Sequence, residues 1–203
     1  MNHPLFASLD SGLRAIAQRD AVVGVVGLGY VGLPLVHVFV EAGFRVLGFD
    51  IDPRKVEALN AGTSYLRSIQ DATVHKWRSA NRFEATVATE RLAEADAILI
   101  CVPTPLDHHR QPDLRYVDAT TDAIATTLRR GQLIVLESTT YPGTTRERLL
   151  PKLTAKGYVV GRDVFVAFSP EREDPGNPTF STRTIPKVVG ADDPVSRMLA
   201  EAL

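Results

Sequence analysis

Gly27-Leu28-Gly29-Tyr30-Val31-Gly32 is a G-x-G-x-x-G run, and each glycine has a separate physical use. Gly27 permits a tight turn out of a strand, Gly29 lets the backbone approach a pyrophosphate, and Gly32 lets the following helix pack close to that strand. Backbone N–H groups of Tyr30 and Val31 then face an anion at the helix N-terminus, where the dipole is positive. Such a run alone is weak, because glycines also gather in plain turns. Here an apolar strand precedes it, a helix follows, and Asp50 ends the next strand. A carboxylate there accepts ribose hydroxyls and repels a 2'-phosphate, which predicts NAD rather than NADP as cofactor. Lys55 is a further cofactor-side candidate that would soften this preference, as would Arg54 if it is more than a solvated charge. Asp52 is read as a helix cap.

Two other features invite chemical readings that the residues do not support. Cys101 closes an apolar strand, where a free cysteine behaves as a small buried hydrophobe. No lysine or histidine is placed by the sequence to lower its pKa, so it is not assigned as a nucleophile. His108 and His109 have no third ligand at sensible spacing, so no metal site is predicted. His37 falls in a helix and is read as surface or packing.

The elements that must position these residues alternate regularly. A leader helix is read over 4–18, then strands over 21–26, 45–49, 83–87, 97–102, 133–136, 164–168 and 187–189. Helices are read over 30–42, from Pro53 to just before Gly62, over 68–80, 116–129 and 144–156, and from Pro194 to the last residue. Apolar strands joined by helices imply an α/β fold, a doubly wound Rossmann-type parallel sheet with helices on both faces. Ligands then bind outside the carboxyl ends of the strands, where segments 27–32, 50, 102–106, 137–142 and 169–176 fall.

Composition narrows the function classes. Hydrophobic residues make up 44% of the 203, ordinary for a globular chain, and the formal net charge of −1 disfavours non-specific nucleic-acid binding. A single cysteine excludes an internal disulfide framework and fits a cytoplasmic location. No apolar run approaches the roughly 20 residues that span a bilayer, and the N-terminus lacks the form of a signal peptide.

Four segments in order, GLGYVGLP at Gly27–Pro34, CVPTP at Cys101–Pro105, ESTTYPG at Glu137–Gly143 and SPEREDPGN at Ser169–Asn177, make the chain resemble the UDP-sugar 6-dehydrogenase family. The resemblance covers residues 21 to 190, and the last segment is similar to the UDP-N-acetylglucosamine and UDP-N-acetylmannosamine branch. It implies a leader over 1–20, an NAD-binding domain over 21–190 and, over 191–203, the start of a helix leading to a second half that is absent here. It implies a UDP-N-acetylhexosamine substrate and a homodimer for the full-length protein. The family oxidises a primary alcohol to a carboxylate with two NAD. After the first hydride transfer a cysteine thiolate holds the aldehyde, and after the second, water cleaves the thioester. By this resemblance Thr140 and Glu171 hold or activate the water. Val102, Pro103, Thr104 and Thr139 line the path from adenosine to nicotinamide, and Glu171, Arg172 and Asn177 face the substrate. Glu137 orients its loop or simply packs. The catalytic cysteine is expected in the absent half, so this chain alone is expected to be inactive.

Three alternatives remain open at this level. One is a UDP-glucose 6-dehydrogenase. Another is a hydroxyacid or 6-phosphogluconate type dehydrogenase, which lacks the ESTTYPG and SPER segments. The third is a non-catalytic NAD-binding module.

Overall fold

The computed structural model describes residues 5–106, 108–170 and 186–203. Six strands, β1 (Val22–Val26), β2 (Arg45–Phe49), β3 (Phe83–Thr86), β4 (Ala97–Ile100), β5 (Leu133–Leu136) and β6 (Phe165–Phe168), form one sheet in the order β3-β2-β1-β4-β5-β6. All five pairings are parallel. The order reverses between β1 and β4, which creates the crevice that doubly wound sheets use for ligands.

Alternate residues of each strand feed two separate cores. Val23, Val25, Leu99, Leu133, Val135 and Phe165 pack to one side, while Ile98, Ile100, Ile134, Leu136 and Val166 pack to the other. Every residue of β4 and β5 is therefore buried, as a parallel strand covered on both faces requires. The first side is covered by α1 (Leu9–Gln18), α2 (Gly32–Glu41), α3 (Pro53–Asn60), α4 (Asp71–Ser79) and α7 (Pro194–Ala202). The second is covered by α5 (Arg115–Thr127), α6 (Leu150–Thr154) and a 3-10 turn over Thr89–Glu94.

Local sequence explains most element ends. Ser8 and Ser11 form a reciprocal capping box at the start of α1. Asp52 caps α3 by accepting the Arg54 N–H at 3.0 Å, ahead of Pro53 at the first helical position. Gly43, with φ +97°, ends the α2 region in a conformation that a side chain resists. Helix α7 packs on β5, β6 and α1, seating Leu199 so close to α1 that a Cβ on Gly12 would lie 2.6 Å from it.

One expectation is corrected, one is refined, and one element is additional. Residues 187–189 are not a strand. The chain touches β6 at a single antiparallel bridge, Phe168 to Gly190, before turning into α7, and one bridge cannot build a ladder. The helix read over 144–156 is present over 144–154, with a π turn at Thr145–Leu149 running directly into the short α6. Pro151 lacks an N–H and its ring crowds the carbonyl four residues back, so the preceding turn widens. The 3-10 turn at Thr89–Glu94 was not anticipated, because six residues are too few to display a helical period.

Candidate dinucleotide site

A cleft of about 690 Å³ opens at the carboxyl ends of β1, β2, β4 and β5. Its wall includes Gly27, Gly29, Tyr30, Val31, Asp50, Lys55, Val102, Pro103, Thr104 and Thr139. The folding of the chain thus gathers ten of the residues singled out in the sequence around one cavity. Gly32 is not on the wall, and Thr140 is one residue beyond the lining at Thr139. Glu171, Arg172 and Asn177 lie outside the described residues.

The three glycines of the loop are required for different reasons. Gly27 has φ +93°, and a Cβ there would meet the Cys101 carbonyl oxygen at 2.7 Å. A Cβ on Gly32 would fall 1.8 Å from the Gly27 carbonyl oxygen, so α2 can start so close to β1 only without a side chain. At Gly29 a Cβ would meet no protein atom within 4 Å. The fold leaves that space empty on the cleft wall, where a ligand would fill it. Helix α2 also begins there without any side-chain cap; its Leu33 N–H donates to the Gly29 carbonyl at 3.1 Å and Pro34 carries no N–H, so its first turn contributes the positive end of the helix dipole rather than a row of free donors. An open cradle, an uncapped helix N-terminus and an acid at the end of β2 together suit a pyrophosphate joined to a ribose.

Asp50 does more than the sequence indicated. Its carboxylate, 7% exposed, accepts the Leu28 N–H at 3.0 Å and the Asp52 N–H at 3.0 Å and pairs with Lys55 Nζ at 3.3 Å. About four lone-pair directions exist on a carboxylate, so one remains for a ribose hydroxyl. Lys55 faces the cleft while bound to Asp50, so its charge partly offsets the repulsion that Asp50 exerts on a 2'-phosphate.

The loops after β4 and β5 are stitched together at the far end of the cleft. Ser138 Oγ donates to the Val102 carbonyl at 2.7 Å, and Thr104 Oγ1 donates to the Thr139 carbonyl at 2.7 Å. Glu137, buried at the end of β5, also faces the cleft and pairs with Lys187. The sequence left Glu137 between orienting and packing; the ion pair ties the β5 loop to the segment entering α7. Beyond Thr140 the turn is held by Thr144 Oγ1 donating to the Tyr141 carbonyl at 2.7 Å and by the Tyr141 hydroxyl donating to Glu147 at 3.1 Å. That bond to Glu147 raises the Tyr141 phenol above its ordinary pKa, so it stays protonated.

Several cleft residues were missed. Ile51, Val87 and Leu92 form an apolar wall beside Asp50, with Thr89 among them, and Tyr116 and Thr120 of α5 close another side. None belongs to a motif, and only the register of β2 and β3 with the crossing of α5 brings them in. Cys101 is buried at the base of the same cleft. The His108 and His109 rings have centroids 3.8 Å apart and are tilted by 46° to each other, and among the described residues no cluster of three metal-ligating side chains occurs.

A doubly wound parallel sheet with such a loop at its switch point defines a dinucleotide-binding domain. Residues 21–203 match the model of the UDP-glucose/GDP-mannose dehydrogenase family, NAD binding domain, and the chain belongs to that family. It is 35% identical over 189 residues to a UDP-N-acetyl-D-glucosamine 6-dehydrogenase of Pseudomonas aeruginosa, covering 92% of this chain and 43% of that protein. It is 40% identical over 168 residues to Protein CapL of Staphylococcus aureus, covering 82% of this chain and 38% of the relative. Among solved structures, an NDP-N-acetyl-D-galactosaminuronic acid dehydrogenase of Methanosarcina mazei Go1 superimposes with a TM-score of 0.79 at 29% identity, over 94% of this chain and 43% of that one. The chain thus spans less than half the length of each of these three relatives. Among the described residues no helix is long and apolar enough to cross a membrane.

Proposed function

We propose that this chain provides the NAD site and part of the water-handling site of a dehydrogenase that oxidises C6 of a UDP-N-acetylhexosamine to the uronic acid. The observation that carries the reading is the 690 Å³ cleft, in which the glycine loop, Asp50 and the stitched loops after β4 and β5 face one another. Relatives named as UDP-N-acetyl-D-glucosamine 6-dehydrogenase and UDP-N-acetyl-D-mannosamine dehydrogenase, whose matches cover 92% and 89% of this chain, support the choice of sugar class.

When bound, NAD supplies the hydride acceptor. The chain's own residues bind and orient it. Gly29, Tyr30 and Val31 offer N–H groups and the α2 dipole to the pyrophosphate. Asp50 accepts a ribose hydroxyl, with Lys55 beside it, and Ile51, Val87 and Leu92 give an apolar wall for the adenine. Val102, Pro103, Thr104 and Thr139 line the opposite end, and their mutual hydrogen bonds keep that end rigid, so that the reacting carbon is met in one geometry. Thr140 follows directly and is assigned to holding the water that completes the second oxidation. Glu171 is assigned to taking its proton, and Arg172 and Asn177 to the sugar nucleotide, by their motif alone. Residues 191–203 are read as the opening of the segment that joins this domain to a substrate half carrying the cysteine. A cytoplasmic homodimer is the assembly in which we place the full-length protein. The dimer rests on the family resemblance, and the compartment on the single buried cysteine.

The test has two stages. Calorimetric titration of this chain should give micromolar NAD binding and weaker NADP binding, with no oxidation of any UDP-sugar by the chain alone. The complete protein should then reduce two NAD per UDP-N-acetylhexosamine, prefer it to UDP-glucose, and slow strongly with Thr140→Ala or Glu171→Gln. No binding of NAD would remove the reading, and a preference for UDP-glucose would move it to the sister branch.

A further inference from the structure

Tyr65 belongs to none of the motifs. It lies in the connection between α3 and α4, and its ring packs against the core on the α2 side of the sheet. Its hydroxyl donates to the carbonyl oxygen of Leu28, a residue 37 positions earlier in the chain. Leu28 is the first variable position of the glycine loop, and its side chain is fully buried. Its N–H is held by Asp50 at 3.0 Å. Lys55 closes the arrangement, 3.3 Å from Asp50 and 5.6 Å above the Tyr65 ring. Both backbone polar groups and the side chain of Leu28 are therefore fixed by elements outside the loop.

The consequence lies in the next peptide bond. The Leu28 carbonyl and the Gly29 N–H belong to one planar trans peptide, in which C=O and N–H point in opposite directions. Fixing the carbonyl toward Tyr65 aims the Gly29 N–H the other way. Glycine permits backbone rotations that other residues resist, so a Leu28–Gly29 peptide without a tether is free to reorient. Burial above all, with the charges of Asp50 and Asp52 adding to it, raises the Tyr65 phenol well above its ordinary pKa, so the hydroxyl remains a donor throughout the working range.

We propose that Tyr65 is a positioning residue for dinucleotide binding: through the Leu28 carbonyl it orients the Gly29 N–H toward the pyrophosphate. The proposal rests on the NAD reading of the cleft and adds to it a residue that never touches the ligand.

Tyr65→Phe keeps the ring, its packing and its contact with Lys55 and removes only the hydroxyl. The experiment measures NAD affinity, thermal midpoint and the backbone amide resonance of Gly29 in the unmodified chain and in this variant. The expected result is an NAD affinity about 2- to 12-fold weaker, the range one lost hydrogen bond gives, about 5-fold at its middle. The thermal midpoint should stay within about 4 °C, and the Gly29 amide should be shifted or broadened before ligand is added. Equal NAD affinity in the two proteins, or an unchanged Gly29 amide, overturns the proposal while leaving the NAD reading intact. A large fall in thermal midpoint makes the bond a structural contact and also overturns it. An unmodified chain that binds no NAD overturns the underlying reading, and this proposal with it.

Discussion

The Asp50 carboxylate accepts the Leu28 backbone N–H at 3.0 Å across 22 residues of sequence, so the acid proposed to select the ribose also braces the glycine loop. The two roles are separable. Asparagine retains an oxygen acceptor for Leu28 but loses the charge, whereas alanine loses both. Asp50→Asn should bring NADP affinity toward that of NAD, closing the gap about tenfold, and Asp50→Ala should in addition weaken both cofactors. Titration of both nucleotides against both variants checks this. Unaltered discrimination in Asp50→Asn would mean that Asp50 does not face the 2' position.

Gly29 and Gly32 should respond oppositely to the same substitution. No protein atom is within 4 Å of a Cβ at Gly29, whereas one at Gly32 would overlap the Gly27 carbonyl oxygen. Gly29→Ala should fold with stability changed by less than about 1 kcal/mol and lose at least roughly tenfold in NAD affinity. Gly32→Ala should unfold or displace α2. Urea unfolding with NAD titration distinguishes the two. Gly29→Ala with full NAD affinity would count against a ligand in that space.

The opposite end of the sheet is held by polar groups with no ligand role. Asp96, almost fully buried, accepts the Val22 N–H at 2.9 Å and pairs with Arg129 at 2.7 Å. Arg129→Met removes the counter-charge and should cost about 3 kcal/mol, discounted toward 2 because the guanidinium is partly exposed. NAD affinity should be unaffected. A neutral result in urea unfolding would show that Asp96 is sufficiently held by the backbone.

Asp163 gives the chain a pH-dependent contribution. Hydrogen bonds from Arg162 and from the Val159 N–H hold its pKa at about 2, below the ordinary 3.8. A depressed folded-state pKa stabilises the fold fully above the unfolded value and loses that contribution as pH falls through the folded one. The stability difference between the unmodified chain and Asp163→Asn should therefore be constant above about pH 5 and shrink between about pH 4 and 2. Denaturation midpoints across this range measure it, and a difference independent of pH would exclude the linkage.

Much of this protein could be read along the chain because the signals act locally. Turn glycines, the Asp52 cap with Pro53, and apolar strands alternating with helices are decided within a few residues, and they fix the α/β class and the dinucleotide loop. Where the local signal was short or in conflict, as in the 3-10 turn at Thr89–Glu94 or around Pro151, the elements were missed or misdrawn. What the tertiary structure alone decided are the contacts between distant residues. Tyr65 reaches Leu28 across 37 positions, Ser138 reaches Val102 across 36, and Lys187 reaches Glu137 across 50. No periodicity or motif encodes these pairings. They arise because parallel strands joined by helical crossovers bring loops far apart in sequence to the same end of one sheet, where their hydrogen bonds must be satisfied by one another.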